Sequence, residues 1–369
     1  MSEFKASGFR DEFGNAGPDL VGITTMTSPY YFVPPSGSTA ERPSSPPPGM
    51  LRFNTDSGRL EVWRNDHWAT ITGETSAPLG TRHLSGGSGS PADGNSIEYI
   101  TLSTTGNAID FGDLHRAQRH CAGLGDATRG LFGGGYKTPD GGTARIDFVT
   151  FATLGDASDF GDRASGSGWS WCGVNDATRG LWVGGTPGTI DGLIDFVTIQ
   201  STGNTTSFGT NNVNNRDSAG FASRTRAVFG GNHNTNTNID YVTIQSTGNS
   251  IDFGTLVAST GTYYSRSTAS NSVRGVFGPH GYDSPALDYQ YFTIASTGNS
   301  QDFGDISFST YAQSHGSSGK TRGVTCAGGP AGLDIEFITI ATTANAQDFG
   351  DLATAKTTAG ACTNANGGL

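Results

Sequence analysis

The chain has 369 residues, of which 56 are glycine and 15 are proline, and only 34% are hydrophobic. This composition favours short strands and tight turns over helices, and it excludes one thick globular core. The formal net charge is −11 and no basic run occurs, which excludes nucleic acid as a partner because phosphate binding needs clustered Lys and Arg.

Residues 1–48 are predicted to form an extended arm that anchors the protein to a partner. Aromatic residues in this segment are followed by a proline- and serine-rich stretch that cannot pack a core of its own. A disordered tail is the alternative. The aromatic residues expected to make the anchoring contact are Phe4, Phe9, Tyr30, Tyr31 and Phe32. The segment lacks the pattern of a secretory signal, and the chain has no apolar run of about 18 residues, so no membrane insertion is expected.

Residues 49–78 are predicted to form a small three-stranded β-meander. Apolar and polar residues alternate in Met50–Thr55 and in Arg59–Trp63, with Asp56–Gly58 as the turn between them. A second turn leads into His67–Ile71. Such a meander is marginal alone, so docking on another protein is expected.

Residues 79–369 contain a repeat of roughly 48 residues. The strand Ile97–Thr101 returns five times, with successive threonines 45 to 50 residues apart. An Asp-Phe-Gly element follows each copy, with Ser207 in place of aspartate in the third, and a strand that begins with arginine precedes it. That strand leads into paired glycines, except that Pro279 replaces the second glycine in the fifth period. With a small-residue strand before the arginine, each period holds four candidate strands, which is the content of a propeller blade. The recurring phenylalanines are Phe111, Phe160, Phe208, Phe253, Phe303 and Phe349.

The two ends of the repeat region are complementary fragments. The first period lacks its small-residue strand, and the last period ends after one, at Thr357–Asn364. Together they complete one unit, which predicts an all-β fold with a six-bladed β-propeller closed by its N- and C-terminal strands and preceded by the arm and the meander. An open solenoid is the competing architecture, but it requires polar capping repeats.

An arginine recurs once per period at the start of the second strand. We expect these side chains to form a structural ladder of bonds to carboxylates or carbonyls between strands or blades. The alternative is a ring of positive charge for an anionic ligand. The six residues are Arg82, Arg129, Arg179, Arg226, Arg274 and Arg322.

The repeat resembles the kelch pattern, because its second strand ends in paired glycines and an aromatic-bearing strand follows a variable loop. The meander sequence from Pro47 to Trp63 resembles a module of fibre and other structural proteins of tailed phages. In combination with the Ile-Asp-Tyr-Val-Thr-Ile-Gln-Ser-Thr-Gly-Asn repeats, it is similar to virion proteins of phages that infect marine cyanobacteria. The resemblance implies a virion location, with contact to other virion proteins through residues 1–78, an oligomeric arrangement on the virion and the propeller projecting outward.

No catalytic or metal-binding set stands out. The seven histidines fall in different periods without metal-ligand spacing, and the four cysteines are far apart and are interpreted as small core residues. No cofactor, no metal site and no enzymatic activity are therefore predicted.

Specific binding is expected on the loops that differ between repeats, where aromatic side chains suit sugars and protein partners. For Trp169 and Trp171 a core role between blades is equally compatible with the sequence. The candidate contacts are Tyr136, Trp169, Trp171, His233, Tyr263, Tyr264, His280 and Tyr282.

Three functions are compatible with these features. The first is a non-enzymatic virion fibre, spike or decoration that is anchored by its N-terminal region and binds a host glycan or envelope protein. The second is a purely architectural connector between virion proteins. The third is an enzyme acting on polysaccharide, which requires a cluster of polar residues that the sequence does not offer.

Overall fold

The protein is all-β, with 52% of its residues in strands and 1% in helices. Its chain divides into two compact units, Met1–Ser76 and Ala77–Leu369. Within the described residues, no helix is long and apolar enough to cross a membrane. The computed structural model describes residues 34–64, 66–70, 81–89, 92–212, 216–231, 237–257, 267–279, 287–307, 314–326 and 332–365. The predicted anchoring residues Phe4, Phe9, Tyr30, Tyr31 and Phe32 lie outside them.

The N-terminal unit contains one four-stranded sheet. Its strands are β1 (Ser36–Gly37), β2 (Leu51–Asn54), β3 (Arg59–Arg64) and β4 (His67–Thr70), in that order across the sheet. The last three are the strands that the alternation predicts. β1 pairs in parallel with β2 and is followed by a 3₁₀ helix at Thr39–Glu41. The sheet thus includes residues N-terminal to the boundary predicted at residue 48.

A charged cluster holds the segment after β1 against this sheet. Glu61 is 1% exposed and accepts hydrogen bonds from Arg52 Nη1 at 3.0 Å and from Arg42 Nη2 at 2.6 Å. The hydrogen bond from Arg42 is the largest of the effects that lower the pKa of Glu61. Arg52 also lies over the Trp68 ring at 5.8 Å. Two arginines therefore balance the negative charge of the buried carboxylate, which would be strongly destabilising without a partner.

The described residues of the C-terminal unit form six four-stranded antiparallel sheets, numbered here in chain order. Sheet 1 consists of β5 (Arg82–Ser88), β6 (Gly94–Thr101), β7 (Ile109–Asp113) and the last strand, β30 (Gly360–Thr363). Sheet 2 consists of β8 (Ala122–Gly125), β9 (Arg129–Gly133), β12 (Arg145–Thr150) and β13 (Ser158–Asp162). A two-stranded ribbon, β10 (Tyr136–Lys137) and β11 (Gly141–Gly142), connects β9 to β12.

The other four sheets repeat this arrangement. Sheet 3 consists of β14 (Cys172–Asn175), β15 (Arg179–Val183), β16 (Leu193–Thr198) and β17 (Thr206–Thr210). Sheet 4 consists of β18 (Ala219–Ala222), β19 (Arg226–Gly230), β20 (Asn238–Thr243) and β21 (Ile251–Thr255). Sheet 5 consists of β22 (Thr268–Ser270), β23 (Arg274–Phe277), β24 (Asp288–Thr293) and β25 (Gln301–Asp305). Sheet 6 consists of β26 (His315–Ser318), β27 (Arg322–Cys326), β28 (Asp334–Thr339) and β29 (Gln347–Asp351).

The two incomplete repeats share one sheet, as their sequences predict. β30 pairs antiparallel with β5, with Gly360 opposite Gly86 and Thr363 opposite His83. The sheets contact each other through their small-residue strands: β8, β14, β18, β22, β26 and β30 touch in this order, and β30 also touches β8. Glycine permits the close approach, because a Cβ atom at Gly123 would lie 2.2 Å from the carbonyl oxygen of Ala361.

The core is divided into six hydrophobic clusters, each between consecutive sheets. One cluster joins sheets 3 and 4 through residues such as Val174 and Phe229, and another joins sheets 6 and 1 through Val324, Phe349 and Ile100. Each sheet needs to cover only its neighbours, which explains how a chain with few hydrophobic residues folds. Six antiparallel four-stranded sheets with this contact order are consistent with a propeller-like fold.

Candidate functional site

The six recurring arginines link each sheet to the next. Each guanidinium donates from Nη1 to the backbone carbonyl that follows the third strand of the following sheet, at 2.5 to 3.3 Å. The last of them, Arg322 in sheet 6, donates to Leu102 in sheet 1. Each guanidinium also lies 4.2 to 4.7 Å from the centre of an aromatic ring of its own sheet. The carbonyl acceptors, in chain order of the arginines, belong to Phe151, Ile199, Ile244, Ile294, Ile340 and Leu102.

The Asp-Phe-Gly element contacts the turn of the next sheet. Its phenylalanine is buried in every sheet and packs edge-on against the aromatic ring under the arginine, with centroids 5.8 to 6.1 Å apart. Its backbone bonds to the following turn, as where Gly155 N donates to Phe111 O at 2.8 Å. The arginine and the phenylalanine therefore both serve the contact between sheets.

A pair of glycines tests this contact directly. Gly112 and Gly155 have φ angles of 147° and 144°, so alanine strains both backbones similarly. A Cβ atom at Gly112, however, would lie 2.3 Å from the carbonyl oxygen of Gly155, whereas one at Gly155 would meet nothing within 4 Å. We expect Gly112→Ala to cost about 2 kcal/mol more than Gly155→Ala in urea unfolding, because a backbone must move. Equal midpoints would contradict the close approach.

A buried polar residue near the start of the third strand forms a further link that sequence reasoning missed. In each sheet this residue lies opposite the second-strand position that carries an aromatic ring in sheets 2 to 5. In five sheets it accepts a described hydrogen bond from the connection that leaves the preceding sheet. Asp147 accepts from His115 N, for example, and Gln290 accepts from Val257 N. Burial raises the pKa of the Asp147 and Asp240 carboxyl groups. Its recurrence as an acid or amide after isoleucine or tyrosine was the available signal. The six residues are Glu98, Asp147, Asp195, Asp240, Gln290 and Glu336.

Two of the predicted contact residues form an aromatic pair beside the ribbon β10–β11. Tyr136 and Trp169 are half-buried, and their rings meet edge-on with centroids 5.0 Å apart. Arg119 lies over the Tyr136 ring at 5.0 Å and pairs with Asp93 at 3.1 Å. A planar aromatic surface with a neighbouring cation and carboxylate can stack on a sugar ring and bond its hydroxyl groups.

The sequence is compatible with a core role or a contact role for Trp171, and the structure places this residue in the core. It is 4% exposed, packs edge-on against Trp182 at 5.8 Å and lies under the Arg163 guanidinium at 4.7 Å. Gly134 and Gly185 pack directly against its indole ring, which matches the core role. The other predicted contacts, His233, Tyr263, Tyr264, His280 and Tyr282, lie outside the described residues.

Two histidines that the sequence places far apart meet between sheets 6 and 1. His83 Nε2 and His315 Nε2 each lie 2.8 Å from the Ser85 hydroxyl oxygen, and Cys326 Sγ lies 3.6 Å from His83 Nε2. Burial lowers the pKa of His83 to about 3 and raises the pKa of Cys326 to about 12. Burial also lowers the pKa of His315 well below its ordinary value, so both imidazoles are neutral at pH 7. All four cysteines of the chain are buried free thiols, as predicted for small core residues.

The small-residue strands line two cavities. The larger, of about 90 Å³, is bordered by His120, Ser170, Trp171 and His315, and the smaller, of about 70 Å³, by residues nearer the ends of the same strands. Neither holds a constellation of acid, base and nucleophile among its described residues. No protein-family model matches the chain, and no curated protein matches it significantly.

Proposed function

We propose that residues 79–369 form a closed six-bladed β-propeller of kelch-like type, and that the chain is a non-enzymatic virion structural protein of a tailed phage. In this proposal residues 1–78 attach it to other virion proteins, and the propeller is displayed as a fibre, spike or decoration that binds a host glycan or envelope protein. The observation that carries the proposal is the cyclic order of the links between sheets. The recurring arginines each bond to the following sheet, from Arg82 in sheet 1 to Arg322 in sheet 6.

A rigid ring suits display more than catalysis. The arginines and phenylalanines recur in every sheet and serve the contacts between neighbouring sheets, whereas the connections between the second and third strands differ most between repeats. Binding sites are concentrated on such connections when a rigid scaffold holds them. The resemblance to virion proteins supports the location, and the separate N-terminal unit supports an attachment role.

The attachment role is tested by particle assembly. Phage carrying a chain without residues 1–33, a deletion that keeps β1 and the Arg42–Glu61 pair of the N-terminal sheet, should contain strongly reduced amounts of this protein, measured by immunoblot of purified particles. The same deletion should leave the thermal unfolding of the C-terminal unit unchanged. Normal incorporation of the shortened protein would overturn attachment through the arm, and labelling of intact particles would locate the protein on the virion.

The adhesion role is tested at the aromatic pair. Tyr136→Ala combined with Trp169→Ala is expected to weaken binding of the full chain to cyanobacterial cells at least about tenfold, because interface aromatics supply much of the binding energy. Leu154→Ala removes an apolar side chain that is 58% exposed on a turn between the third and fourth strands and serves as the control. Unchanged binding by the double variant would contradict the site. A wild-type chain that binds no cells would favour the architectural connector, and saccharide released from host envelopes would favour an enzyme.

A further inference from the structure

A polar side chain takes the place of an aromatic ring at the interface between sheets 6 and 1, as Thr325 does at the interface between sheets 5 and 6. At the position where sheets 2 to 5 carry Phe132, Trp182, Phe229 and Phe277, sheet 1 carries Ser85. Where sheets 2 and 3 carry Gly130 and Gly180, sheet 1 carries His83. A buried polar group in place of a core side chain costs stability unless it has a specific partner, so such departures mark functional sites.

The replaced side chains bring three metal-ligand groups together. His83 comes from β5, His315 from β26 and Cys326 from β27, and one ligand atom of each lies within 4.8 Å of the other two. Their exposed fractions are 1%, 4% and 0%. These residues are 232 and 11 positions apart in the chain, which is why no spacing motif reveals them.

The separation of His83 Nε2 from Cys326 Sγ matches tetrahedral coordination. A zinc ion about 2.0 Å from a nitrogen and about 2.3 Å from a sulfur holds these two atoms about 3.5 Å apart. The observed separation of His83 Nε2 from Cys326 Sγ is 3.6 Å. The Ser85 hydroxyl lies between the two imidazoles, and Ser317 Oγ bonds His83 Nδ1 at 2.6 Å. A bond to the second ring nitrogen is the usual device that orients a metal-binding histidine.

We propose that His83, His315 and Cys326 form a buried site for a thiophilic transition-metal ion, with Zn²⁺ as the expected ion and the Ser85 hydroxyl as its fourth neighbour. Two imidazoles and a thiolate suit zinc or copper and do not suit Mg²⁺ or Ca²⁺, which take oxygen ligands. Binding forms one metal–sulfur and two metal–nitrogen bonds, and the thiol proton leaves to solvent. The ion connects β5 to β26 and β27, so it links sheet 1, which contains both ends of the repeat region, to sheet 6.

The cluster adjoins a cavity. His315 lines the cavity of about 90 Å³ between the small-residue strands. Without an ion the same side chains form a hydrogen-bonded set centred on Ser85, so the alternative to a metal site is a purely hydrogen-bonded core cluster.

Metal content of the full chain decides between the two. The protein is produced with zinc or with copper added to the medium, desalted, and analysed by mass spectrometry for metal per chain. We expect about one equivalent of ion, a fall in melting temperature of roughly 5–10 °C after chelation, and a thiolate-to-metal absorption band after exchange with Co²⁺. Stoichiometric copper in place of zinc would support the site and identify the ion. Less than about a tenth of an equivalent, with no effect of added ions on melting, would overturn it.

Variants separate the site from adventitious binding. Cys326→Ser and His83→Gln should each lose the bound ion at least tenfold. Cys172→Ser is the matched control, because Cys172 is equally buried but lies in an apolar cluster between sheets 3 and 4. Retention of metal by Cys326→Ser, or equal loss in Cys172→Ser, would overturn the assignment. Should a variant fail to fold, the metal content and the Co²⁺ spectrum of the wild type still decide.

Discussion

Removal of residues 358–369, which include β30, is expected to abolish cooperative folding of the C-terminal unit. The deletion leaves one edge of β5 unpaired and removes Cys362 from the core between sheets 1 and 2. It also breaks the contacts of β30 with β8 and β26. The loss approaches the whole stability of a domain, which is about 5–15 kcal/mol.

The measurement is thermal unfolding followed by circular dichroism, together with size-exclusion chromatography. Removal of residues 366–369 alone keeps β30 and is the control, with an expected melting temperature close to that of the full chain. A soluble, monomeric protein that lacks β30 and melts like the wild type would contradict the role of the last strand in joining the chain ends.

Asp195→Ala is expected to destabilise the C-terminal unit by about 3–5 kcal/mol, because it leaves a buried cation unpaired. Arg163, with a side chain 0% exposed, bonds Asp195 Oδ2 at 2.7 Å and Gly184 O at 2.6 Å. Burial already lowers the pKa of Arg163 despite the neighbouring carboxylate. Without Asp195 the guanidinium keeps only carbonyl acceptors.

Urea unfolding of four chains checks this prediction. Asp195→Asn, which keeps an oxygen acceptor, should lose less stability than Asp195→Ala. Asp110→Ala removes an exposed aspartate on β7 and should change the free energy of unfolding by less than about 0.5 kcal/mol. A midpoint for Asp195→Ala equal to that of Asp110→Ala would show that the pair contributes nothing to the packing of sheet 2 on sheet 3.

The repeat allowed much of the C-terminal unit to be predicted. Strand periodicity and glycine-rich turns are local features, so the strands beginning at Arg129 or Ile146 could be located without coordinates. The completion of one sheet by the two chain ends followed from counting strands. The N-terminal sheet was predicted less well, because the pairing of Ser36–Gly37 with β2 carries no alternation signal in so short a strand.

The roles of individual side chains were less accessible. Recurrence indicated that Arg179 is structural, but not that its acceptor is the carbonyl of Ile244 in the next sheet. Trp171 could not be distinguished from Trp169, because the two tryptophans are separated by one residue and no local pattern indicates which of them is buried.

The sequence by itself determined the number of repeat units, the strands in each and the residues that recur, because each of these depends on neighbours within a few positions. Only the tertiary structure decided which groups meet across sheets, such as His83 with His315 or Asp195 with Arg163. The physical reason is that packing of one sheet on the next brings together side chains that no local pattern connects, and burial then fixes their charge and their partners.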